Sequence, residues 1–157
     1  MLEFSVHHVY TLAVPCDVGQ AFDLVADVPL SAGHFPGLER LDDLGEGLYR
    51  WNMLSFDVGK ISFQVQYTAR YVADADAKTV VWETVGEDSN TRADGSWLVT
   101  PDGEGAQLRF DNVLLIRLAL PRMLAGPAEK IVKSLMRRQN ETYLTRIAER
   151  LGGQLLT

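Results

Sequence analysis

The sequence predicts an α+β fold in which about seven antiparallel strands wrap around one long C-terminal helix, with two short helices after the first strand. Three observations carry this. Residues 127–151 have unbroken helical spacing, and between residues 37 and 120 strand-length segments follow one another across hairpin-length turns rich in Gly, Asp, Asn and Pro. The third is a proline-bounded run at 15–37, too short for more than two small helices. A sheet with one apolar face needs a cover, and only the terminal helix is long enough to supply it.

Residues 3–14 alternate Phe4, Val6, His8, Tyr10, Leu12 and Val14 against Ser5, His7, Val9, Thr11 and Ala13, which predicts the first strand. Pro15 ends it. Asp17 is placed to cap a short helix with Ala21, Phe22, Leu24 and Val25 as its inner side, and Pro29 closes that helix. A second helical turn and a loop follow through His34, Phe35 and Gly37, and the apolar tip of this insert must rest on something. Strands are predicted at 37–44, 48–57, 60–72, 79–85, 91–100 and 106–120. The clearest alternation is at 60–72, where Ile61, Phe63, Val65, Tyr67, Ala69 and Tyr71 oppose Lys60, Ser62, Gln64, Gln66, Thr68 and Arg70.

The terminal helix begins at Gly126-Pro127 and ends at Gly152, a residue type that closes helices in the left-handed conformation. Ala128, Ile131, Val132, Leu135 and Met136 form its apolar stripe. Continued along that face, the stripe meets Gln139, Thr142 and Arg146, with Tyr143, Ile147 and Leu151 to one side. Two readings stand: a helix end emerging from the core, or a helix lying over a cavity that holds a few polar groups.

Without internal repeats or linkers, residues 1–157 read as a single domain. The net charge of −6 argues against nucleic acid as a partner. It is unevenly placed: residues 1–120 hold 8 Lys and Arg against 18 Asp and Glu, and residues 121–157 hold 7 against 3. Lys130, Lys133, Arg137 and Arg138 group on the outer side of the terminal helix, a solvated face or a patch for an anionic membrane or protein partner. The single cysteine, Cys16, excludes an internal disulfide and suits a reducing compartment. With no basic leader and no apolar run of membrane-spanning length, the expected location is cytoplasmic.

The run VPCDVGQAFDLVADV, followed by HFPGLERLDDLGEGLYRW, resembles the opening of the START-like helix-grip superfamily, also called SRPBCC. That group includes polyketide cyclase/dehydrases, lipid-transfer domains, pollen allergens and proteins akin to a small component of carbon monoxide dehydrogenase. The matching features are Pro15, Phe22, Asp27 and the Pro36-Gly37 loop, and DGSWLVTPDGEGAQLRF is similar to the strand-turn-strand before the family's last helix. The resemblance covers the whole chain and implies a hydrophobic cavity between sheet and terminal helix. It specifies fold far better than ligand.

The chain's own alternation nominates the ligand-binding wall. Trp51, Met53, Phe63, Val65 and Tyr67 come from the earlier strands, and Trp82, Trp97, Phe110, Asn112 and Leu114 from the later ones. The helix adds Ile131, Leu135, Met136 and Gln139. Asn112 and Gln139 are polar groups on otherwise apolar faces, and a buried carboxamide must hydrogen-bond to protein, water or ligand. No metal site or cofactor is expected: His7 and His8, adjacent on a strand, point to opposite faces, and no phosphate-binding glycine loop or nucleophile elbow occurs. The leading functional expectation is a non-enzymatic binder of a small hydrophobic or aromatic molecule (a lipid, quinone or polyketide-like compound) in a cavity of at least ~300 Å³. A cyclase or dehydratase in the same cavity, using Tyr67, Asn112 and His34, and a protein- or membrane-docking module are the alternatives. A homodimer is left open.

Overall fold

Alternation builds the wall of this molecule. The computed structural model describes residues 1–87 and 89–156. It contains β1 (Leu2–Val14), α1 (Val18–Ala26), α2 (Val28–Ala32), β2 (Leu38–Gly45), β3 (Leu48–Met53), β4 (Phe56–Val58) and β5 (Ile61–Phe63). Then come β6 (Gln66–Asp74), β7 (Thr79–Thr84), β8 (Thr91–Asp102), β9 (Gly105–Leu118), α3 (Ala125–Arg150) and β10 (Gln154–Leu155). Eight strands form one antiparallel sheet in the order β10-β1-β9-β8-β7-β6-β3-β2, and β4 pairs with β5 alone. The turn predicted at 86–90 includes Asp88, which lies outside the described residues.

Both short helices are capped by aspartate, Asp17 accepting from the Gln20 amide and Asp27 from that of Leu30. The apolar tip of α1 and α2 rests on the inner face of the sheet: Phe22, Val25, Val28 and Ala32 are all buried.

Two expectations needed correction. The segments 48–57 and 60–72 are not single strands; each breaks, and their inner ends form the separate β4–β5 hairpin. Asn90 explains the break. Its Nδ2 donates to the Gln64 carbonyl (2.7 Å) and its Oδ1 accepts from the Gln66 amide (3.1 Å), so a side chain replaces ladder partners where the strand bends. The chain also ends in an unexpected strand. Gly152 closes α3 at φ +80°, as its residue type predicts, and β10 then pairs with Leu12 and Ala13 of β1. Gly153 permits that approach, since a Cβ there would overlap the Ala13 carbonyl oxygen.

The face that α3 buries is also rotated from the predicted one. Ala128, Val132, Met136, Asn140, Leu144 and Ala148 form a continuous i, i+4 row against the sheet, flanked by Tyr143 and Ile147. Ile131, one position round, is 39% exposed, and Leu135 is only half-buried. The carboxamide on the inner line is therefore that of Asn140, not Gln139.

Candidate functional site

Between α3 and the sheet lies a cavity of about 60 Å³. Aromatic rings encircle it. Trp51 stacks on Tyr67 with centroids 5.9 Å apart, Phe35 meets Trp51 edge-on at 6.0 Å, and Tyr143 lies 5.6 Å from Phe35. The circuit continues through Phe110, Trp82 and Tyr71, with centroids 6.1, 5.7 and 5.7 Å apart. Strand periodicity explains why so many rings converge, because residues two apart on neighbouring strands share one face.

Of the nominated residues, Trp51, Met53, Val65, Tyr67, Trp82, Trp97, Phe110, Asn112, Leu114 and Met136 stand on the wall of this cavity. Four do not, and are corrections. Phe63 left the main sheet with β5 and packs on Phe56 at 6.0 Å. Ile131 and Leu135 fall off the buried row of α3. Gln139 lies against the Pro36-Gly37 loop, so close that a Cβ on Gly37 would overlap its amide, and its Oε1 is buried with no hydrogen-bond partner. The cavity is also smaller than the ~300 Å³ expected of a ligand pocket, because the rings that line it also fill it.

Sequence reasoning missed eight wall residues: Val25, Val28, Ser31, Ala32, Phe35, Tyr71, Asn140 and Tyr143. Tyr71 was legible, being on the same alternation as Tyr67. The α1–α2 residues were legible only as a tip in need of a partner. Ser31 and Tyr143 were not, since their role lies in a contact 112 residues apart, a 2.5 Å hydrogen bond between their hydroxyls that ties α2 to α3 across the cavity.

The polar groups follow one transverse line. His8 on β1 pairs with Asn112 on β9, Asn112 with Gly95 on β8, Gly95 with Trp82 on β7, and Trp82 with Tyr71 on β6. Five neighbouring strands thus carry one row of inward positions. Within it the Trp82 indole N–H donates to Asn112 Oδ1 at 3.0 Å. Gly95 makes room for this, since a Cβ there would stand 2.7 Å from Trp82 Cζ2 and overlap the Asp111 carbonyl. At the other end, Asn140 of α3 reaches His8 Nδ1 at 2.6 Å.

Burial sets the protonation of these groups. It lowers the pKa of His8 below its ordinary value, Glu141 pulling the other way. The neutral ring accepts from the Asn140 amide. Burial pushes Tyr143 up to about 12, partly offset by its bond to Ser31, and raises Tyr67 and Tyr71 further still. Among the described residues the Tyr67 hydroxyl has no hydrogen-bond partner. The Trp51 indole nitrogen is sealed without a partner in good geometry, although it lies near enough to the Tyr71 hydroxyl to draw that pKa down a little.

Outside the cavity, His7 points away from His8 and bonds Asp111 at 2.8 Å. His34 bonds the Leu30 carbonyl of the preceding helix, α2, and is not on the wall. Cys16 is half-buried, and burial raises its thiol pKa. Lys130, Lys133, Arg137 and Arg138 are exposed on α3, with Lys133 paired to Glu129 at 2.7 Å. Among the described residues no three His, Cys, Asp or Glu side chains converge as metal ligands, and no helix is long and apolar enough to cross a membrane.

A curved antiparallel sheet gripping a long C-terminal helix, with two short helices after the first strand, is a START-like helix-grip fold, and solved structures agree. No family model and no curated protein matches the sequence. The Zhui aromatase/cyclase from a Streptomyces species is 19% identical with a TM-score of 0.68, over 96% of this chain and 94% of that one. A Thermus thermophilus protein is 20% identical with a TM-score of 0.65, over 96% and 97% of the two chains. A START superfamily protein from Mycobacterium smegmatis is 14% identical with a TM-score of 0.58, over 94% and 97%. These likenesses are of fold.

Proposed function

We propose that this protein binds a small aromatic or compact apolar molecule in the cavity between α3 and the sheet. The observation that carries the reading is the 60 Å³ space lined by a circuit of aromatic rings. At about 60 Å³ the space is small, well under that of a pocket for a drug-sized ligand. An apolar cavity of about 150 Å³ takes up benzene. The space here is smaller than that, so it favours a compact one-ring molecule, admitted with a small displacement of the wall. A quinone-sized molecule asks the least movement of the rings, whereas a long-chain lipid or a multi-ring polyketide requires the wall to part widely.

All three tryptophans of the chain line the cavity, so intrinsic fluorescence reports on its contents. Titration with toluene, acetophenone, naphthalene, a four-ring aromatic and a C18 fatty acid should give saturable quenching and raised Tm with the one-ring compounds. Affinity should fall with size. No response to any one-ring compound would overturn the reading.

A cyclase or dehydratase acting in the same space is the second reading, favoured by the fold likeness to an aromatase/cyclase and by His8 at the end of the polar row. It requires turnover that His8→Phe abolishes while leaving ligand affinity in place.

A further inference from the structure

We infer that Asn112 is a fixed hydrogen-bond donor that selects ligands bearing an acceptor oxygen on the ring, such as a ketone or quinone carbonyl. This rests on the reading of the cavity as a ligand site and deepens it. Indole nitrogen can only donate, so the Asn112 atom 3.0 Å from Trp82 Nε1 is the carbonyl oxygen. The NH₂ end must then face the other way. Among the described residues it has no partner, yet it is not among the sealed atoms, and Asn112 is 7% exposed on the cavity wall. It opens onto the cavity.

The arrangement is built rather than incidental. An asparagine side chain left to itself turns freely about its last bond and offers donor or acceptor alike. Here Trp82 removes that choice from two strands away, and it reaches Asn112 only because Gly95, lying between them in register, has no side chain. The Tyr67 hydroxyl, unpaired on the same wall, both donates and accepts and does not discriminate. The fixed polarity belongs to Asn112. A hydrocarbon of the same shape would displace the waters from its N–H groups and offer no acceptor in their place.

The test pairs acetophenone with α-methylstyrene, which replaces C=O by C=CH₂ at nearly constant shape. Affinities are measured by tryptophan quenching and calorimetry in the wild-type chain, Asn112→Leu and Trp82→Phe. Comparing the ratio of the two affinities between proteins cancels the ligands' different hydration. In Asn112→Leu the ratio should move toward the hydrocarbon by about tenfold or more, the scale of one buried hydrogen bond. Trp82→Phe should move it the same way by less, because the freed amide still finds the oxygen in some orientations. In ¹⁵N-labelled wild type, acetophenone but not α-methylstyrene should shift one side-chain NH₂ pair that is absent from Asn112→Leu. This last readout needs only the folded wild-type protein and a variant for assignment. Binding of both compounds with an unmoved ratio and unmoved amide signals would overturn the inference and leave the cavity reading intact. Binding of neither would overturn both.

Discussion

Deleting the hydroxyl of Tyr143 tests the contact that closes the cavity. The Ser31–Tyr143 bond joins a five-residue helix to the C-terminal half of α3, and Ser31 is 5% exposed. Tyr143→Phe leaves the Ser31 hydroxyl without its partner, which costs about 1–3 kcal/mol when no replacement exists. Here the cavity adjoins both groups and admits water, so a solvent molecule can take the vacated place. The cost should fall at the low end, about 1–1.5 kcal/mol. Ser31→Ala should cost less, since Trp97 remains beside the Tyr143 hydroxyl and already draws its pKa down. The double variant should lose less than the two single losses added, with a coupling of about 0.5–1.5 kcal/mol. Urea denaturation gives each value from the midpoint at constant m, and thermal melts should agree at roughly 2–4 °C per kcal/mol for a chain of this size. Additivity within about 0.3 kcal/mol would refute the reasoning, because it would mean the hydroxyls do not sense each other.

Gly95→Ala should destabilise by about 1–3 kcal/mol or more, because the new Cβ meets a backbone carbonyl that cannot yield; urea midpoints and near-ultraviolet circular dichroism, which senses Trp82, check it. The register of α3 is tested by a pair: Ile131→Ala should change stability by less than about 0.5 kcal/mol, whereas Met136→Ala, on the buried row, should cost about 2–5 kcal/mol. Alkaline titration probes the buried phenols. Tyr67, Tyr71 and Tyr143 have folded pKa values raised above the ordinary 10, so between pH 10 and about 12 the unfolded chain has lost protons that the folded chain keeps. Their contribution is intact below pH 10 and is lost as pH rises, by up to about 1.4 kcal/mol per pH unit for each tyrosine. Absorbance at 295 nm should show these three ionising together with unfolding; independent ionisation near pH 10 would contradict their burial.

How much of this was legible beforehand depends on the range of the interaction that decides each feature. Period-two alternation is local, so β1, β7, β8 and β9 lay within a few residues of their expected places. So did the caps at Asp17 and Gly152, where one side chain or one missing Cβ settles the matter. What escaped was set at a distance. The break at 64–65 depends on Asn90, 26 residues on, and nothing in the alternation of 60–72 announces it. The face of α3 was misjudged because its stripe near Ala128 is wide enough to accept either of two centre lines. Only the sheet, by taking the row through Val132, Met136 and Asn140, decides between them. That choice moved the inner carboxamide by one residue and turned Gln139 onto the loop. Asn112 was legible because on a strand an error of one residue changes the face outright, and its neighbours Phe110 and Leu114 left no such ambiguity.

What the cavity can do to a bound molecule follows from the protons its wall can exchange. Ser31, Asn112 and Asn140 neither gain nor lose one in the ordinary range, and Tyr67, Tyr71 and Tyr143 are held protonated by burial. His8 is the group of the polar row that titrates nearest neutrality, and it meets the cavity through Asn140, whose amide occupies its Nδ1. Hydrogen bonds of fixed direction are what such a wall offers most readily, which supports recognition over proton transfer. Any turnover that depends on His8 as a base would carry a signature. Its rate would be flat above the ordinary histidine pKa and fall only below it, because burial lowers the pKa of the ring. An inflection at alkaline pH in the free enzyme would instead implicate one of the tyrosines, and would show that the rings around the cavity open to water far more than their packing allows.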